Sequence, residues 1–171
     1  MRVIAGDGFE AFFRAEHARV VALGMAMTGD RELAKELAQE AFLRAFRDWE
    51  RVSVYERPAQ WVRRVAINLA MDSHRRRRSA RQAIERLRPA DVALVPDPFA
   101  DDWWAAVRDL PDRQRAAVAL HYLDDLSIAD VAQILGIAAG TVKASLAHAR
   151  ASLAARLAPP STDPDRQGEP R

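Results

Sequence analysis

The chain has 171 residues, 49% of them hydrophobic, which is enough apolar material for one compact domain or two small ones and argues against wholesale disorder. It contains no cysteine, so disulfides, thiolate metal sites and a cysteine nucleophile are excluded. The formal net charge is only +2, and the position of the charges is therefore more informative than their sum.

The charges form two blocks of opposite sign. Between Arg51 and Arg81, nine arginines stand with only Glu56 and Asp72 as acids, whereas between Asp91 and Asp130 nine aspartates stand with three arginines. This alternation predicts separate surfaces for separate partners. Charge blocks also occur in ordinary arginine-rich soluble proteins, so the pattern alone supports both interpretations equally.

Neither a membrane span nor a secretion signal is evident in the sequence. No apolar run approaches the ~20 residues that cross a bilayer. The first residues, Met1 to Asp7, lack the sustained apolar stretch of a signal peptide. We therefore expect a soluble, cytoplasmic protein without membrane insertion.

Helical periodicity runs through the first half of the chain. Apolar residues at helical spacing predict a first helix over about residues 9–28, which Gly29 closes. Asp30 is the expected N-cap of a second helix that reaches about Trp49. A third helix is expected from Pro58 to Arg78, with the proline in its first turn. Since no stretch alternates with period two, we predict an all-α fold.

The pattern loosens after the third helix and then resumes. Pro89, Pro96 and Pro98 favour an extended linker. A second helical unit follows, with helices expected at about residues 101–110, 112–123, 127–135 and 140–157. Beyond Leu157 the sequence lacks apolar anchors, which predicts disorder. The predicted organisation is two small helical domains at residues 1–79 and 101–157, a linker at 80–100 and a disordered tail at 158–171.

The segment from Leu126 to Lys143 predicts a helix-turn-helix. Ser127 and Asp130 have the spacing of a capping box, and Gly136 can end the first helix in the left-handed region. The next helix, from Gly140 to Leu157, carries three basic residues and no acid, so its outer face can enter a DNA major groove. An ordinary helical hairpin would share the caps, but the acid-free second helix favours DNA binding.

Four motifs together resemble one family. Residues 34–45 fit the pattern Ala-x-Asp/Glu-Leu-x-Gln-Glu-x-Phe-x-Arg-Ala, and residues 58–78 place Trp, Arg, Ala, Asn, Ala and Asp ahead of an arginine run. Residues 110–115 have the sequence Leu-Pro-Asp-Arg-Gln-Arg, and residues 135–143 hold Leu-Gly and Gly-Thr-Val-Lys. Over about residues 9–157, these motifs resemble regions two and four of RNA polymerase sigma factors of the sigma-70 family, extracytoplasmic-function subfamily.

The resemblance implies a transcription initiation factor rather than an enzyme. Its expected partners are core RNA polymerase, promoter DNA and an anti-sigma factor that covers both surfaces, with no cofactor, metal or small-molecule substrate. The helix over residues 30–50, in which acids outnumber bases, would dock on the clamp helices of the largest polymerase subunit. The candidate residues for that contact are Glu36, Gln39, Glu40, Arg44 and Arg47.

The same resemblance implies two DNA-binding surfaces. The third helix and the loop before it would hold and melt the minus-ten element, because backbone arginines and aromatic surfaces can offset the cost of flipping bases. The candidates there are Trp49, Arg51, Tyr55, Arg63, Arg64, Asn68, Arg75 and Arg76. The candidates for the minus-thirty-five element are Arg113, Arg115, Thr141, Lys143, Ser145 and His148.

The length of the predicted linker fits such a division of labour. Its 21 residues, 80–100, can extend to roughly 70 Å at ~3.3 Å per residue. Two DNA elements about two helical turns apart are separated by a similar distance, since each turn is ~34 Å.

The helix-turn-helix departs from the family pattern. Ala138 and Ala139 stand where a polar pair with a serine is usual, which removes an N-cap worth ~1 kcal/mol. Ala144 and Ser145 stand where the pair Ser-Arg is frequent, and His148 stands where another arginine is frequent. We therefore expect the isolated second domain to bind a minus-thirty-five element weakly and with strong salt dependence, and a specific nanomolar affinity at physiological salt would contradict this.

Two other classes of function compete with this hypothesis. A stand-alone helix-turn-helix regulator would share the second domain, but it does not explain residues 34–45 or the arginine-rich helix after Pro58. Such a regulator would bind duplex DNA unaided, whereas a sigma factor should bind it poorly without polymerase. An enzyme finds little support, because the four histidines have no ligand spacing and no Walker-type motif occurs.

Overall fold

The structure, a computed structural model, describes residues 6–83 and 102–158. Eight α-helices lie in these ranges: α1 Gly6–Thr28, α2 Arg31–Arg47, α3 Trp49–Val52, α4 Pro58–Ala83, α5 Asp102–Arg108, α6 Asp112–Val118, α7 Ile128–Leu135 and α8 Ala139–Leu157. Helix α6 continues into a π-helical segment, Ala119–Leu123. These two ranges contain no β-strand, and the predicted all-α class is confirmed.

The turn between α1 and α2 follows the predicted caps. Gly29 has φ +66° and donates its N–H to the Met25 carbonyl at 2.8 Å, which ends α1 in the left-handed region where glycine is favoured. Asp30 accepts a hydrogen bond from the Leu33 N–H at 3.0 Å and caps α2. Both local predictions are confirmed because they depend only on neighbouring backbone groups.

Helices α1, α2 and α4 form the bundle of the first domain. A Cβ added to Gly24 of α1 would lie 3.0 Å from the Cβ of Ala34, so the small residues at both positions allow the two helices to approach closely. The buried stripe of α2 continues with small and apolar residues: Leu37, Ala38, Ala41, Phe42 and Ala45. The motif over residues 34–45 therefore places packing residues on one side of α2 and exposed polar residues on the other.

Two helix boundaries differ from the prediction. Helix α2 ends at Arg47, and the Asp48 N–H bonds the Arg44 carbonyl at 3.1 Å before the short α3 begins. Helix α4 continues to Ala83, which is inside the predicted linker, because the arginine run contains good helix formers and no breaker until Pro89. Residues 84–100 of that linker and the tail from 159 onward lie outside the described residues.

The second domain contains the predicted helix-turn-helix. Ser127 accepts the Asp130 N–H at 3.1 Å, and Gly136 ends α7 with φ +65°. Ala138 stands at the N-cap of α8 without a side-chain hydrogen bond, as the sequence predicted. The inward residues of α8 are those expected from its periodicity: Val142, Leu146, Ala149 and Leu153.

The two predicted domains share one continuous apolar core. Leu23 of α1 and Ile67 of α4 belong to the same buried cluster as Val107, Leu120 and Leu146 of the second domain. Helix α4 contributes to two buried clusters: Val62 and Ala66 belong to the one formed with α1 and α2, whereas Ile67 and Ala70 belong to the one that also contains residues of the second domain. The sequence did not indicate this shared core.

Among the described helices, none is long and apolar enough to cross a membrane. The described residues also contain no group of three or more His, Cys, Asp or Glu side chains that could hold a metal ion.

Candidate nucleic-acid and protein interfaces

The predicted polymerase-binding residues form a stripe on the outer face of α2. Glu36, Glu40, Arg44 and Arg47 are spaced by three or four residues and therefore lie one above another on the helix. Glu40 is partly buried and accepts a hydrogen bond from the Arg44 Nε at 2.8 Å, while Glu36, Arg44 and Arg47 are exposed. Gln39 is exposed beside them. The structure brings all five residues to one surface.

An apolar groove between α1 and α2 adjoins this stripe, and the sequence analysis missed it. Gln39 lies at its edge, and its walls are formed mainly by aromatic and apolar residues: Phe9, Phe13, Val21, Phe42, Leu43 and Phe46. Phe46 is 54% exposed and Leu43 42% exposed. Both positions carry large apolar side chains outside the buried stripe of α2. This pattern is the sequence signal that could have predicted an exposed apolar surface.

Six of the predicted minus-ten residues are exposed on the first domain: Arg51, Tyr55, Arg64, Asn68, Arg75 and Arg76. Trp49 is half-buried, with its ring centroid 5.1 Å from that of Phe12 and 5.3 Å from that of Phe9. Tyr55 is therefore the better placed of the two candidate aromatic side chains to stack on a base. Arg75 also pairs with Asp72 one helical turn away.

Arg63, predicted to contact DNA, is instead buried between the two domains. Its side chain is 6% exposed, and it pairs with Asp124 of the second domain, whose side chain is 5% exposed. Its Nη2 also lies 2.9 Å from Oε2 of Glu16 on α1. A guanidinium held by two carboxylates is not available to a phosphate in this arrangement, so the prediction for Arg63 is corrected here.

Arg64 is exposed, and its side chain also contacts the second domain. Its Nε donates to the Ile134 carbonyl at 2.8 Å, and its Nη2 donates to the Gln133 carbonyl. These carbonyls belong to the last turn of α7, where backbone acceptors have no partner within the helix. Arg64 therefore caps the first helix of the helix-turn-helix from the other domain.

Arg57 and Gln60 form a third contact with the second domain, which the sequence analysis did not identify. The Gln60 Nε2 donates to Asp130 Oδ1 at 2.9 Å, and Arg57 pairs with the same carboxylate. Hydrogen bonds from the Ser127 hydroxyl and from Gln60, together with the charge of Arg57, lower the pKa of Asp130. Asp130 thus acts in an interdomain contact as well as beside the N-cap.

The predicted recognition face of α8 is open. Thr141, Lys143 and His148 are exposed, and Ser145 is partly buried. The exposed N-terminal turn of α8 includes Gly140, where an added Cβ would meet nothing within 4 Å. This face can therefore approach a DNA groove without displacing any described residue of the chain.

Arg115, predicted to contact the minus-thirty-five element, does not lie on that face. Its side chain is 5% exposed and donates to the Met27 carbonyl of α1 at 2.7 Å and to the Leu110 carbonyl at 3.0 Å. Burial lowers the pKa of Arg115 from that of a free guanidinium. The structure corrects its role to that of a link between the domains, while Arg113 is exposed as predicted.

The two charge blocks meet each other in the structure. Arg57 and Arg63 pair with Asp130 and Asp124, and His74 Nδ1 lies 3.0 Å from Asp112 Oδ1. In the sequence these blocks fitted equally well with surfaces for separate partners and with an ordinary arginine-rich protein, but opposite charges in one chain can also pair with each other. The complementary sign of the blocks was the available signal for this contact.

Two family models match this chain. The model for sigma-70 region 2 matches residues 12–80, and the model for sigma-70 region 4 matches residues 100–153. The first match covers α2 and most of α4, and the second covers the helix-turn-helix. A stand-alone regulator does not account for the first match.

Curated relatives and a solved structure agree with these matches. The chain is 33% identical to the ECF RNA polymerase sigma factor SigM of Mycobacterium tuberculosis over 157 residues, which are 90% of this chain and 80% of the relative. It is 26% identical to SigW of Bacillus subtilis, covering 81% of this chain and 83% of that relative. The sigma factor RpoE of Bartonella quintana, solved with the anti-sigma factor NepR, has the same fold with a TM-score of 0.74 at 22% identity, covering 87% of this chain and 96% of RpoE.

These relatives are sigma factors, which are transcription initiation factors rather than enzymes. Since both regions match in the expected order and SigM aligns over most of both chains, this chain belongs to the sigma-70 family of RNA polymerase sigma factors, in its extracytoplasmic-function group.

Proposed function

We propose that the chain binds core RNA polymerase through the polar stripe of α2 and the apolar groove beside it. The observation that carries this proposal is the shared surface of Glu36, Gln39, Glu40, Arg44 and Arg47. Stripes of mixed charge next to exposed aromatic residues provide both electrostatic selection and apolar area for a protein partner. Phe46 and Leu43 supply the apolar part.

The first domain then holds the minus-ten element on α4 and the segment before it. Arg75 and Arg76 are exposed on α4 and can contact phosphates, and Asn68 is exposed about two turns earlier and can contact a base edge. Tyr55, which is 38% exposed, offers a stacking surface for an unpaired base. Together these groups can stabilise a melted strand, because only melted DNA presents unpaired bases for stacking.

The second domain holds the minus-thirty-five element on α8. Lys143 and His148 lie on its exposed face with Thr141, and Arg113 is exposed on α6. The bare N-terminus of α8 and the small number of basic residues make this the weaker of the two DNA contacts. We propose that it positions the polymerase rather than binding DNA alone.

An anti-sigma factor completes the proposed set of partners. The structural neighbour RpoE was solved in complex with the anti-sigma factor NepR. A similar partner of this chain would cover surfaces that polymerase or DNA needs, and the α1–α2 groove is one such surface.

The decisive experiment measures binding of the purified chain to sigma-free core RNA polymerase, with Glu40→Lys as the test variant. Glu40 pairs with Arg44 four residues away, and charge reversal places like charges together in the proposed contact. We expect tight binding by the wild type and a loss of about tenfold or more in the variant. Promoter-dependent transcription by the reconstituted enzyme is the second measurement.

Glu10→Lys is the matched control. Glu10 forms the same kind of exposed pair with Arg14 four residues away, but on α1 and outside the predicted polymerase-binding stripe. It should leave binding to core unchanged. A chain that ignores core and binds duplex DNA unaided would overturn the proposal in favour of a stand-alone regulator.

A further inference from the structure

The groove between α1 and α2 changes in polarity from one end to the other. Near the turn that joins the two helices, its walls carry Arg31 and Lys35, and both side chains are exposed. At the opposite end the walls are formed by Phe9 and Phe46, whose ring centroids lie 5.0 Å apart. The groove therefore has a basic end, at Arg31 and Lys35, and an aromatic end, at Phe9 and Phe46.

The basic end carries a positive charge that the described part of the chain does not neutralise. Lys35 pairs with Glu32 at 2.7 Å, whereas no described residue pairs with Arg31. Among the described residues that line the groove, none is acidic. A guanidinium recognises an oxyanion through its planar set of N–H donors. This end of the groove therefore favours an anionic group over a neutral or cationic one.

The middle of the groove offers mainly apolar surface. Phe13, Phe42 and Leu43 line it, and Leu43 is 42% exposed. The polar side chains of this stretch are Gln39 and His17, and the ring centroid of His17 lies 4.7 Å from that of Phe13. Exposed apolar surface is stabilised when another apolar group removes it from water. The middle and the aromatic end therefore favour a hydrocarbon chain.

The size of the groove fits a small elongated molecule. Its volume is about 860 Å³, within the range of roughly 300–1,000 Å³ that small-molecule sites have. Arg31 and Phe46 lie 15 residues apart on α2, which separates the two ends by about 22 Å at 1.5 Å per residue. One acyl chain spans half of the ~30 Å hydrocarbon thickness of a bilayer, or about 15 Å. The groove is therefore long enough for an acyl chain together with its anionic group.

A second copy of the chain suits this surface less well. Arg44 and Arg47 lie near the aromatic end of α2 and are exposed, so bases stand at both ends of the exposed face. A twofold pairing of two α2 helices, parallel or antiparallel, would place these bases opposite the bases of the other copy. A single anionic amphiphile avoids this repulsion.

We propose that the α1–α2 groove binds a free long-chain carboxylate, with the carboxylate at Arg31 and Lys35 and the acyl chain over Leu43 toward Phe9 and Phe46. The molecule is a regulatory ligand and not a substrate. Because the groove adjoins the polar stripe that we assign to polymerase, the bound carboxylate competes with core. This consequence rests on the proposed function, whereas binding of the carboxylate does not.

The first test titrates the full chain with fatty acid salts of about 10 to about 18 carbons, each below its micelle concentration, by isothermal titration calorimetry. Each buried CH₂ should raise the affinity by up to about fourfold. The rise should level off when the acyl chain reaches the aromatic end, with one molecule bound per chain. An absence of saturable binding would overturn the proposal, as would an affinity that never levels off.

Leu43→Ser tests the apolar wall of the groove. Leu43 is exposed, so the change removes surface for the ligand without opening the core, and binding should weaken about fivefold. Leu157→Ser is the matched control, because Leu157 is 41% exposed at the end of α8 and does not line the groove. Equal weakening in the two variants would refute the site. Circular dichroism verifies that both variants keep their helices.

Arg31→Gln tests the basic end. The loss of one exposed charge should weaken carboxylate binding by up to about fivefold. The fatty alcohol of the same length lacks the anionic group, and its weaker binding should not change in Arg31→Gln. Arg19→Gln removes an exposed arginine of α1 outside the groove and is the control. If Arg31→Gln weakens the alcohol as much as the acid, the carboxylate does not bind at Arg31 and the proposal is wrong.

A vesicle arm separates the free carboxylate from a membrane surface. Phosphatidylglycerol vesicles present the same combination of acyl chain and negative charge in a bilayer. The chain should bind monomeric fatty acid in the absence of vesicles. Binding to vesicles alone would identify the groove as a membrane contact and would overturn the proposal.

Competition with core polymerase distinguishes this inference from the proposed function. A saturating fatty acid should weaken the binding of the full chain to sigma-free core severalfold. If the fatty acid does not bind while core does, the inference is wrong and the proposed function stands. If the fatty acid binds and core affinity is unchanged, the ligand site stands and the groove is not part of the polymerase contact.

Discussion

The two surfaces that we propose for promoter DNA differ in what faces them. On α4, Arg63 and Arg64 are engaged by the second domain, whereas on α8 the side chains of Lys143 and His148 are open. The difference arises because α4 packs against the second domain, where Arg63 pairs with Asp124 and Arg64 donates to the Ile134 carbonyl. A basic surface is thus masked when its own chain supplies a complementary acidic and apolar face.

This contrast also explains why a free chain of this kind should bind DNA poorly. The more basic of the two surfaces is partly covered, and the uncovered one lacks an N-cap and carries few basic residues.

Replacing Arg63 by alanine should have the largest effect on stability. Asp124 and Glu16 would keep their carboxylates largely buried without the guanidinium that pairs with both. Breaking a buried ion pair by removing one partner costs about 3 kcal/mol or more. Urea unfolding followed by circular dichroism should show this loss, and tryptophan fluorescence should show whether the domains separate first.

Arg113→Ala provides the comparison, because Arg113 is an arginine of the second domain that is exposed. Its removal should change stability by less than about 0.5 kcal/mol. Equal losses in the two variants would mean that the Arg63 cluster contributes no more than a surface charge, and the proposed contrast between α4 and α8 would fail.

The limits of the sequence-based predictions follow the same division. The caps at Gly29, Asp30 and Gly136 were predictable because they depend on neighbouring backbone groups. Arg63 and Arg115 were assigned to DNA because their motifs resemble those of the family, and only the tertiary packing shows that they are buried.

The same holds for the surface groove and for the helix lengths. The sequence shows that Phe46 lies outside the apolar stripe of α2. Recognising a groove at this residue also requires the position of α1, which only the structure provides. The extension of α4 to Ala83 passes through good helix formers, and the prolines that suggested a linker begin only at Pro89. The order of the motifs identified the family. The contact between the two domains of this chain could not be predicted, because no short sequence motif encodes it.

Lys143→Ala tests the open surface directly. Lys143 is an exposed base on the recognition face of α8, and the loss of one phosphate contact should lower the slope of log affinity against log salt by about one. We expect about fivefold weaker binding of the polymerase-bound chain to a promoter duplex at moderate salt. Arg156→Ala, at the far end of α8 and paired with Asp109, is the control and should keep the original slope.

Ala138→Ser should strengthen the same surface by a smaller amount. Ala138 stands at the N-cap of α8 with extended backbone angles and no side-chain acceptor for the first N–H groups. A serine there should stabilise the helix by about 1 kcal/mol. Urea unfolding measures the gain, and Ala147→Ser at an exposed position inside α8 should show none. No difference between the two variants would mean that the helix start is already satisfied in another way.

The smallest expected effect concerns Asp130 and pH. Hydrogen bonds from Ser127 and Gln60 and the charge of Arg57 hold the pKa of Asp130 below its ordinary value of 3.8. A carboxyl group whose pKa is lowered by folding stabilises the folded state above its unfolded pKa, and this stabilisation is lost as the pH falls through the folded pKa. The stability difference between the wild type and Asp130→Asn should therefore be constant above about pH 5 and shrink below pH 3.8.

Urea unfolding of both proteins from pH 7 to pH 3 measures this difference. Asp130 is partly exposed, and such ion pairs contribute less than about 1 kcal/mol, so the change is smaller than that of Arg63→Ala. If the difference persists undiminished at the lowest pH, the charge of Asp130 does not stabilise the contact with Arg57 and Gln60. The covered state of α4 would then depend on the buried Arg63–Asp124 pair and the apolar core alone.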